Sequence, residues 1–553
     1  MTLASLFIFT ATFAAPATIP DVFAASTRLD EVIADGWRQH SLQPAPLCDD
    51  ATFVRRIWLD LAGRIPPAAE TKKFLEEKTS TKRQEAVEKL LASPEFANHW
   101  GRVWAEYFTD QRPFEQDEYS GRVLQNYFRD SFLAGNSYKQ MAAELLRGDG
   151  PSDASGPANF LLRYDVQPEQ LAGVVSRKFL GATIQCAQCH DHPHVHWKQD
   201  EFWGLAAYFA RLRKMQPTEE PNGDNFSLVI ERSRGELQVA DPKAQPDAEG
   251  NRPKKTIYPR LPGTGTTDTS DERRAALIGW LTSEQNPYFA RHATNRVWKQ
   301  LFGTELVNSL DSLTPQAKTS SSPILELLAN DFAQNGHDVK RLIRVIVLSN
   351  AYQRSAGPAK EIGGALAAAT PPTGGIKKDG KPDEKPAEIK NAAASSPTAV
   401  DPEHLQTKLY ARFPIRPLTA DQLYLSIAQA TGYRGADEAQ AKLAEMTKED
   451  FTTDVSQESL SAEALAIRRS LAVLNGDHVR VACDQAVTTA QALHGEVAGP
   501  KHIEHLFFAT LSRKPTGAEM DAMLDLAGAS EGSEGLADVA WVLMNSAEFN
   551  TNH

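Results

Sequence analysis

The chain has 553 residues, of which 59 are Lys or Arg and 71 are Asp or Glu, so its formal net charge is −12. Hydrophobic residues make up 41% and charged residues 24%, a balance that excludes a wholly disordered chain, a fibrous chain and a polytopic membrane protein. An acidic chain is a poor binder of the nucleic-acid backbone, which requires clustered cations, so we expect no nucleic-acid partner.

The first residues have the pattern of an export signal. Leu3 to Ala15 is an apolar run too short to cross a bilayer, which takes about 20 apolar residues. Val22 to Ala24 offers the residue spacing of a cleavage site. We predict a signal peptide over residues 1–25 and an exported protein, periplasmic or at the cell surface; a buried N-terminal helix is the alternative. No later stretch reaches membrane length, so we expect no transmembrane segment after removal of the signal.

Residues 28–215 have the pattern of a succession of helices. Ser93 followed by Pro94 is a signal for the start of a helix, because Ser caps the first turn and Pro fits its first position. The helix that follows carries Trp100 and Trp104 at helical spacing. We interpret this aromatic stripe as core packing.

Two further helices are predicted on either side of a short segment rich in cysteine and histidine. Apolar residues at helical spacing predict one helix from about Glu169 to Ile184, which ends just before Cys186. The same criterion predicts a second helix from about Gln199 to Leu212. The segment between them is therefore expected to be held between two amphipathic helices.

The composition changes over residues 216–270, where Pro, Gly, Asn and Asp increase. Short strand patterns occur at Phe226 to Glu231 and at Glu236 to Val239. Arg234 and Gly235 lie between them and predict a turn that joins the two strands in a hairpin. We therefore predict a small β-containing linker in this region.

Helical patterns return at residue 271 and continue to the C-terminus. The predicted helices cover residues 275–281, 286–302, 323–335, 339–350, 419–431, 462–474 and 503–553. Residues 357–403 lack aromatics and are rich in Ala, Pro, Gly and Lys, which predicts a disordered insert. The fold class is therefore mainly α: a multi-helical two-domain protein, with domains over 28–215 and 271–553 and a small β-hairpin insertion between them.

The sequence Cys186 to His190 reads CAQCH, and C-x-x-C-H is the attachment signature of c-type haem. Two thiols at this spacing can reach the two vinyl groups of one haem, and the next histidine can ligate its iron. We predict covalent haem c at Cys186, Cys189 and His190, and a protein that transfers electrons or serves a partner oxidoreductase. Such attachment takes place outside the bacterial cytoplasm, in agreement with export. The sequence does not fix the sixth ligand; Met215 is the nearest methionine downstream.

Four histidines fall within seven residues of this segment: His190, His192, His194 and His196. Thiolate and imidazole also suit zinc or iron, so a non-haem metal site with Cys186, Cys189 and one or two of these histidines is a second interpretation. Such a metalloprotein would be a candidate hydrolase. A third interpretation is a Cys186–Cys189 disulfide in a non-catalytic surface or scaffold protein. The sequence leaves all three open.

Two other groups of residues have alternative interpretations. Cys48 and Cys483 are either a disulfide or two separate buried thiols. Arg291, His292 and Arg296 either line a cleft for an anionic substrate or belong to a structural helix in which arginine stacks on tryptophan; we interpret them as structural. No nucleophile elbow, zinc-protease motif, phosphate-binding loop or dinucleotide fingerprint occurs in the sequence.

Four blocks of the first half form a recognisable series: Asp50 to Gly63 with Pro66, Leu91 to Phe96 with Trp100 and Trp104, Phe179 to Pro193, and Phe202 to Phe209. They resemble a family first noted in planctomycete genomes, the planctomycete cytochrome C domain. The second half is similar to the companion planctomycete-specific domain, in the blocks Trp280 to Thr282, Asn295 to Trp298, Leu301 to Gly303, Arg416 to Asp421 and Asn545 to Phe549. The resemblance covers nearly the whole chain after the signal.

This resemblance implies a helical cytochrome-c-like domain over residues 28–215, followed by a companion domain of unknown function that the 357–403 insert interrupts. The family's cytochrome label depends on the same C-x-x-C-H motif. Typical members follow His192 with a phrase that ends in phenylalanine, aspartate and proline, whereas this chain has Pro193 to Trp197. If the family's aspartate belongs to the site, His194 or His196 takes its place here.

Overall fold

The computed structural model describes residues 19–109, 121–216, 226–241, 244–264, 267–268, 271–284, 286–311, 322–357, 402–432, 474, 477–529 and 534–553. Residues 1–18 of the predicted signal peptide lie outside this part of the chain. So do residues 358–401 of the predicted disordered insert and nearly all of the predicted helix over 462–474. These three predictions remain predictions.

The fold is mainly helical, as the sequence predicts. In chain order the α-helices are α1 (Ile19–Gln39), α2 (Asp50–Ala62), α3 (Ala68–Glu76), α4 (Lys82–Leu91), α5 (Pro94–Phe108), α6 (Gly121–Ala134), α7 (Tyr138–Arg147), α8 (Gly156–Leu162), α9 (Pro168–Val175), α10 (Gln199–Ala206), α11 (Arg273–Leu281), α12 (Phe289–Phe302), α13 (Pro323–Gln334), α14 (Val339–Val347), α15 (Pro402–Lys408), α16 (Ala420–Thr431), α17 (Asp477–His494), α18 (Pro500–Thr510), α19 (Gly517–Ala529), α20 (Glu534–Met544) and α21 (Ala547–Asn550).

Within the described residues, six short strands form three antiparallel pairs, each of two strands. They are β1 (Leu212–Met215) with β2 (Leu228–Glu231), β3 (Leu237–Ala240) with β4 (Lys254–Ile257), and β5 (Arg416–Pro417) with β6 (Thr551–Asn552). Strands β2, β3 and β4 lie within the predicted linker over residues 216–270 and β1 ends just before it, so the predicted small β insertion is confirmed.

The pairing predicted for that insertion is wrong. The two strand candidates exist, but β2 pairs with β1, and β3 pairs with β4. Alternation of polar and apolar residues identifies a strand but does not select its partner. The Glu236 carboxylate, between β2 and β3, is bound by Arg273 at 2.6 Å and by Arg211 at 3.4 Å. These ion pairs hold the segment where a tight turn was expected.

The chain divides into two compact units. The first contains residues up to Val32, then Ile57–Gly63 and Thr79–Ser349; the second contains Ile33–Arg56, Arg64–Lys78 and Asn350–His553. The CAQCH segment lies in the first unit. The domain boundaries expected from the sequence are not tested by this division and remain predictions.

The core of the first unit contains the aromatic stripe of α5. Ser93 caps this helix by accepting a hydrogen bond from the Phe96 N–H at 3.2 Å. Trp100 and Trp104 are buried, so their predicted role in core packing is confirmed. The Trp100 indole N–H donates to the Asp60 carbonyl at 3.1 Å, which ties α5 to the end of α2.

A buried arginine joins segments of the second unit that are far apart in the sequence. The buried Arg55 guanidinium donates to the carbonyls of Thr510 at 2.7 Å and Phe549 at 2.9 Å. Cys48 and Cys483 are both buried in this unit. They do not form the disulfide that the sequence left open.

Candidate functional site

The CAQCH segment lies on a 3₁₀ turn, Ile184–Gln188, that follows α9. The helix predicted to reach Ile184 ends earlier: α9 continues as a π-helical turn, Ser176–Leu180, and stops at Gly181. Gly181 has φ +63°, a left-handed conformation that favours glycine and ends a helix. The periodicity of apolar residues continued past this stop signal, which is why the predicted helix was too long.

Helix α10 holds the main chain of the motif. The Gln188 carbonyl accepts hydrogen bonds from Gln199 Nε2 and from the Trp203 indole N–H, both at 3.1 Å. Gln199 Nε2 also donates to the Cys189 carbonyl at 3.0 Å. At the start of α10 the Gln199 N–H donates to Asp191 Oδ1 at 2.9 Å, a favourable position for a carboxylate because the helix N-terminus is positive.

The two ends of the loop are joined through Asp311. Its Oδ1 accepts hydrogen bonds from the Thr183 N–H at 2.8 Å and from the Trp197 indole N–H at 3.0 Å. Its Oδ2 accepts from the Ser309 hydroxyl at 2.9 Å. Trp197 is only 1% exposed, so its indole N–H needs a partner inside the protein. We call residues 183–197 the motif loop.

A Tyr–His pair packs beneath the start of the motif loop. The Tyr107 hydroxyl is 2.7 Å from His292 Nε2, and a side chain at Gly181 would collide with the His292 ring. The cations of Lys178 and Arg296 lie over the Tyr107 ring, 4.3 and 4.8 Å from its centre. Burial, followed by the charges of Arg296 and Lys178, lowers the pKa of His292 to about 3. His292 is therefore neutral at physiological pH.

The anionic cleft that was the alternative interpretation of α12 is not formed by its two arginines. Arg291 binds the Glu326 carboxylate through two nitrogens, at 2.8 and 2.5 Å. Arg296 stacks on Tyr107. The structural interpretation of this helix is correct, but the stacking partner is a tyrosine rather than the expected tryptophan.

Both cysteines of the motif present free thiols at the surface. Cys186 lies inside the 3₁₀ turn and Cys189 is the residue that ends it. A 3₁₀ helix has three residues per turn, so side chains three positions apart lie on the same side. The turn therefore directs both thiols to one face. In this structure they do not form the disulfide considered from the sequence.

His190 follows them with a defined orientation. Its Nδ1 is 2.8 Å from the Asp191 carbonyl oxygen. Because a carbonyl can only accept, Nδ1 carries the hydrogen and Nε2 keeps its lone pair. The side chain is exposed. Histidines that bind metals commonly have this arrangement, with one nitrogen donating to a carbonyl and the other free to ligate.

The other three histidines of the loop differ in their surroundings. His192 Nδ1 accepts hydrogen bonds from the N–H groups of His194 at 3.2 Å and Val195 at 3.3 Å. His194 is exposed. His196 packs on Trp197, with Nε2 3.5 Å from the Tyr288 hydroxyl. Its Nδ1 is buried and makes no hydrogen bond within the part of the chain that the structure describes.

Across the described ranges, no group of three or more His, Cys, Asp or Glu side chains is arranged to hold a metal ion. The assignment of His192, His194 and His196 as metal ligands stays a prediction. Met215 ends β1, where it pairs with Leu228, and its role as a sixth ligand also stays a prediction.

Sequence reasoning missed three residues that shape the loop: Gln199, Trp203 and Asp311. Gln199 and Trp203 are four residues apart on one helix and so face the motif together. That spacing, close after CAQCH, is a signal that the sequence did contain. Asp311 has no comparable signal, because the two loop residues that it binds, Thr183 and Trp197, lie far away in the sequence.

Two family profiles match the chain. PSCyt2, described as a protein of unknown function (DUF1549), matches residues 28–214, and PSD1, described as a protein of unknown function (DUF1553), matches residues 273–365. No curated protein and no solved structure matches the chain. Among the helices of the described residues, none has the length and apolar content to cross a bilayer.

The two matches occur in the predicted order, and the second covers residues 273–365, so the blocks at Arg416 to Asp421 and Asn545 to Phe549 lie outside it and stay predictions. The motif loop belongs to the first region, and Asp311, which joins its ends, belongs to the second. The resemblance is confirmed: this chain belongs to the proteins in which a PSCyt2 domain is followed by a PSD1 domain.

Proposed function

We propose that this protein is an exported, c-type cytochrome-like protein that carries one haem bound covalently at the CAQCH motif. Cys186 and Cys189 would form the thioether bonds, and His190 Nε2 would ligate the iron. The observation that carries the proposal is the hydrogen bond from His190 Nδ1 to the Asp191 carbonyl, which leaves the Nε2 lone pair available, while Cys186 and Cys189 both have free, exposed thiols.

The donor set fits the group. Thioether formation requires two reduced thiols that haem can reach from outside, and both motif cysteines are free and exposed. The main chain between and after them is fixed by Gln199 and Trp203. The two cysteines that would bind haem are therefore exposed, and hydrogen bonds from α10 fix the main chain that carries them.

Once bound, haem supplies a one-electron redox centre whose potential depends on its axial ligands and its hydrogen bonds. The residues of this chain would hold it at the surface, where a partner protein can approach. We therefore propose a redox partner in the periplasm or at the cell surface. The PSCyt2 name, with its cytochrome label, agrees with this function but derives from the same motif.

The geometry argues against one ligand of the zinc or iron alternative, His192. A non-haem site needs at least one more histidine beside the thiols. His192 already accepts two main-chain hydrogen bonds through Nδ1, so its Nε2 carries the hydrogen and has no lone pair to offer. Metal binding by His192 would have to break this part of the loop.

The test is expression of the full chain in a bacterium with haem-maturation machinery. We expect a Soret band, and an intact mass under denaturing conditions that exceeds the polypeptide by one haem. The double variant Cys186→Ala/Cys189→Ala should lose both signals. His40→Ala, an exposed histidine outside the motif loop, is the control and should keep them. A wild-type protein without covalent haem, or with one stoichiometric zinc instead, would refute the proposal.

Export is tested on the same preparation. We expect the protein in the periplasmic fraction, with an N-terminus shortened by cleavage. Helix α1 begins at Ile19 and buries Val22 and Ala25. The Ser26 hydroxyl donates to the Val345 carbonyl at 2.9 Å. The mass of the mature protein therefore also shows whether these contacts survive processing. An uncleaved protein confined to the cytoplasm would contradict export.

A further inference from the structure

We infer that Asp311 is the positioning residue of the CAQCH thiols and His190, and that the PSD1 region thereby completes the site of the PSCyt2 domain. That Asp311 positions the loop is inferred from the hydrogen bonds of the loop alone. That this affects haem binding rests on the proposed function. Asp311 touches none of the three motif side chains in this role. It acts through the loop that carries them.

Asp311 binds both ends of the motif loop. Thr183 lies at the start of the motif loop, and Trp197 lies at its end. A single carboxylate oxygen accepts from both, so it closes the loop at its base. Cys186, Cys189 and His190 all lie between these two points of attachment.

Ser309 fixes the orientation of the Asp311 side chain. Ser309 donates its hydroxyl hydrogen to Asp311 Oδ2 at 2.9 Å, and the Asp311 N–H donates to Ser309 Oγ at 3.0 Å. This reciprocal pair orients the carboxylate before the loop meets it. A residue that positions others must have a fixed orientation of its own.

Helix α10 binds the middle of the motif loop. Gln199 and Trp203 bind the carbonyls of Gln188 and Cys189. These bonds fix the middle of the loop, whereas Asp311 fixes its ends. Together the two sets restrain both the middle and the ends of the loop, which the covalent chain alone leaves free to bend. The PSCyt2 region supplies the first set of bonds and the PSD1 region the second.

The experiment uses three variants of the full chain. Asp311→Ala removes both acceptors. Asp311→Asn keeps a carbonyl oxygen that can accept from the Thr183 and Trp197 N–H groups. Glu305→Gln is the matched control, because it removes a nearby carboxylate that binds Lys299 at 2.8 Å and does not contact the loop. Circular dichroism and thermal unfolding establish that each variant is folded.

Two measurements are made on each variant. In protein without haem, hydrogen exchange of the 183–197 amides should be at least tenfold faster in Asp311→Ala than in the wild type. Asp311→Asn should restore most of the protection, and Glu305→Gln should not differ from the wild type. In protein matured with haem, Asp311→Ala should show a lower fraction of covalent haem and a shifted midpoint potential, and Asp311→Asn should recover both.

The outcomes separate the two hypotheses. Unchanged exchange in Asp311→Ala, or an Asp311→Asn variant as impaired as Asp311→Ala, would overturn the positioning role. A wild-type protein that takes up no haem would refute the proposed function, and the exchange measurement would still decide whether Asp311 holds the loop. A folded Asp311→Ala variant could show fast hydrogen exchange in the loop and yet normal haem loading and midpoint potential. This result would show that the Asp311 hydrogen bonds fix the loop but are not needed for the haem site.

Discussion

Trp197 and Asp311 are joined by a hydrogen bond of 3.0 Å although 114 residues separate them in the sequence. The indole belongs to the loop that carries the CAQCH motif, and the carboxylate belongs to the region that matches PSD1. A short motif that looks self-contained in the sequence is therefore built from both family regions. This relationship leads to a first prediction.

Replacing Trp197 with Phe should destabilise the protein because the Asp311 carboxylate loses one of its two donors at Oδ1. A hydrogen bond to a charged group contributes about 1.5–3 kcal/mol, so we expect a loss of about 2 kcal/mol in the free energy of unfolding. Trp541→Phe is the control, since its indole N–H bonds the Leu474 carbonyl at 3.2 Å and the residue is 39% exposed. That change should cost less than about 1 kcal/mol. Urea unfolding measures both, and equal losses would contradict the prediction.

A second prediction concerns Gly181, where the chain turns from the π-helical segment toward the motif. Replacing Gly181 with Ala adds a Cβ that collides with the His292 ring and also places alanine in a left-handed conformation. Gly135→Ala is a matched control, because Gly135 has φ +73° but no atom within 4 Å of the added Cβ. We expect about 1–2 kcal/mol of destabilisation for the control, from backbone strain alone.

The Gly181→Ala variant should lose at least about 1 kcal/mol more than the Gly135→Ala variant, because relieving an overpacked contact typically costs 1–3 kcal/mol. Chemical unfolding followed by circular dichroism provides the comparison. If the two variants are destabilised equally, the contact between Gly181 and His292 is not part of the folded structure in solution.

A third prediction concerns pH. The pKa of His292 falls from its ordinary 6.5 to about 3 in the folded protein. Between these two values the unfolded chain binds one proton more than the folded chain, so stability is complete above pH 6.5 and is lost as pH falls. One proton corresponds to 1.36 kcal/mol per pH unit, and partial solvent access reduces this, so we expect about 1–2 kcal/mol lost from pH 6.5 to 5.

The measurement is urea unfolding of the wild type and of His292→Gln across this pH range. The variant removes the titrating imidazole, so its stability should fall less steeply than that of the wild type. Equal slopes would show that His292 is accessible to protons in the folded state. Because His337 also has a pKa lowered to about 4 by burial, a residual slope is expected in the variant.

Local features were predictable from the sequence, and contacts between distant residues were not. Ser93 and Pro94 predicted the start of α5, because capping depends on neighbours three residues away. The helix before the motif was predicted too long because Gly181 is a single local interruption in a continuing apolar pattern. The strands β2 and β3 were found, but alternation carries no information about which strand pairs with which.

The candidate site divides in the same way. The CAQCH residues were evident from their spacing, and the structure shows how the local turn exposes the two thiols and orients His190. The role of Asp311 was not evident, since an aspartate is common in an acidic chain and its partners are selected by the fold. Nothing in the neighbourhood of Asp311 in the sequence marks it as a loop clamp.

The last prediction uses the different environments of the four cysteines. In full-length protein prepared without haem and under reducing conditions, Cys186 and Cys189 are exposed, whereas Cys48 and Cys483 are buried. Burial, followed by the charges of Asp484 and Asp538, raises the pKa of Cys483 to about 12, so very little of it is thiolate at pH 8. We expect two thiols to react rapidly with a chromogenic disulfide reagent in the native protein and all four to react in denaturant.

The double variant Cys186→Ala/Cys189→Ala should show no rapid phase and two thiols after denaturation. Four rapid thiols in the native protein would show that the second unit opens readily, and only two in denaturant would reveal a disulfide that the structure does not contain.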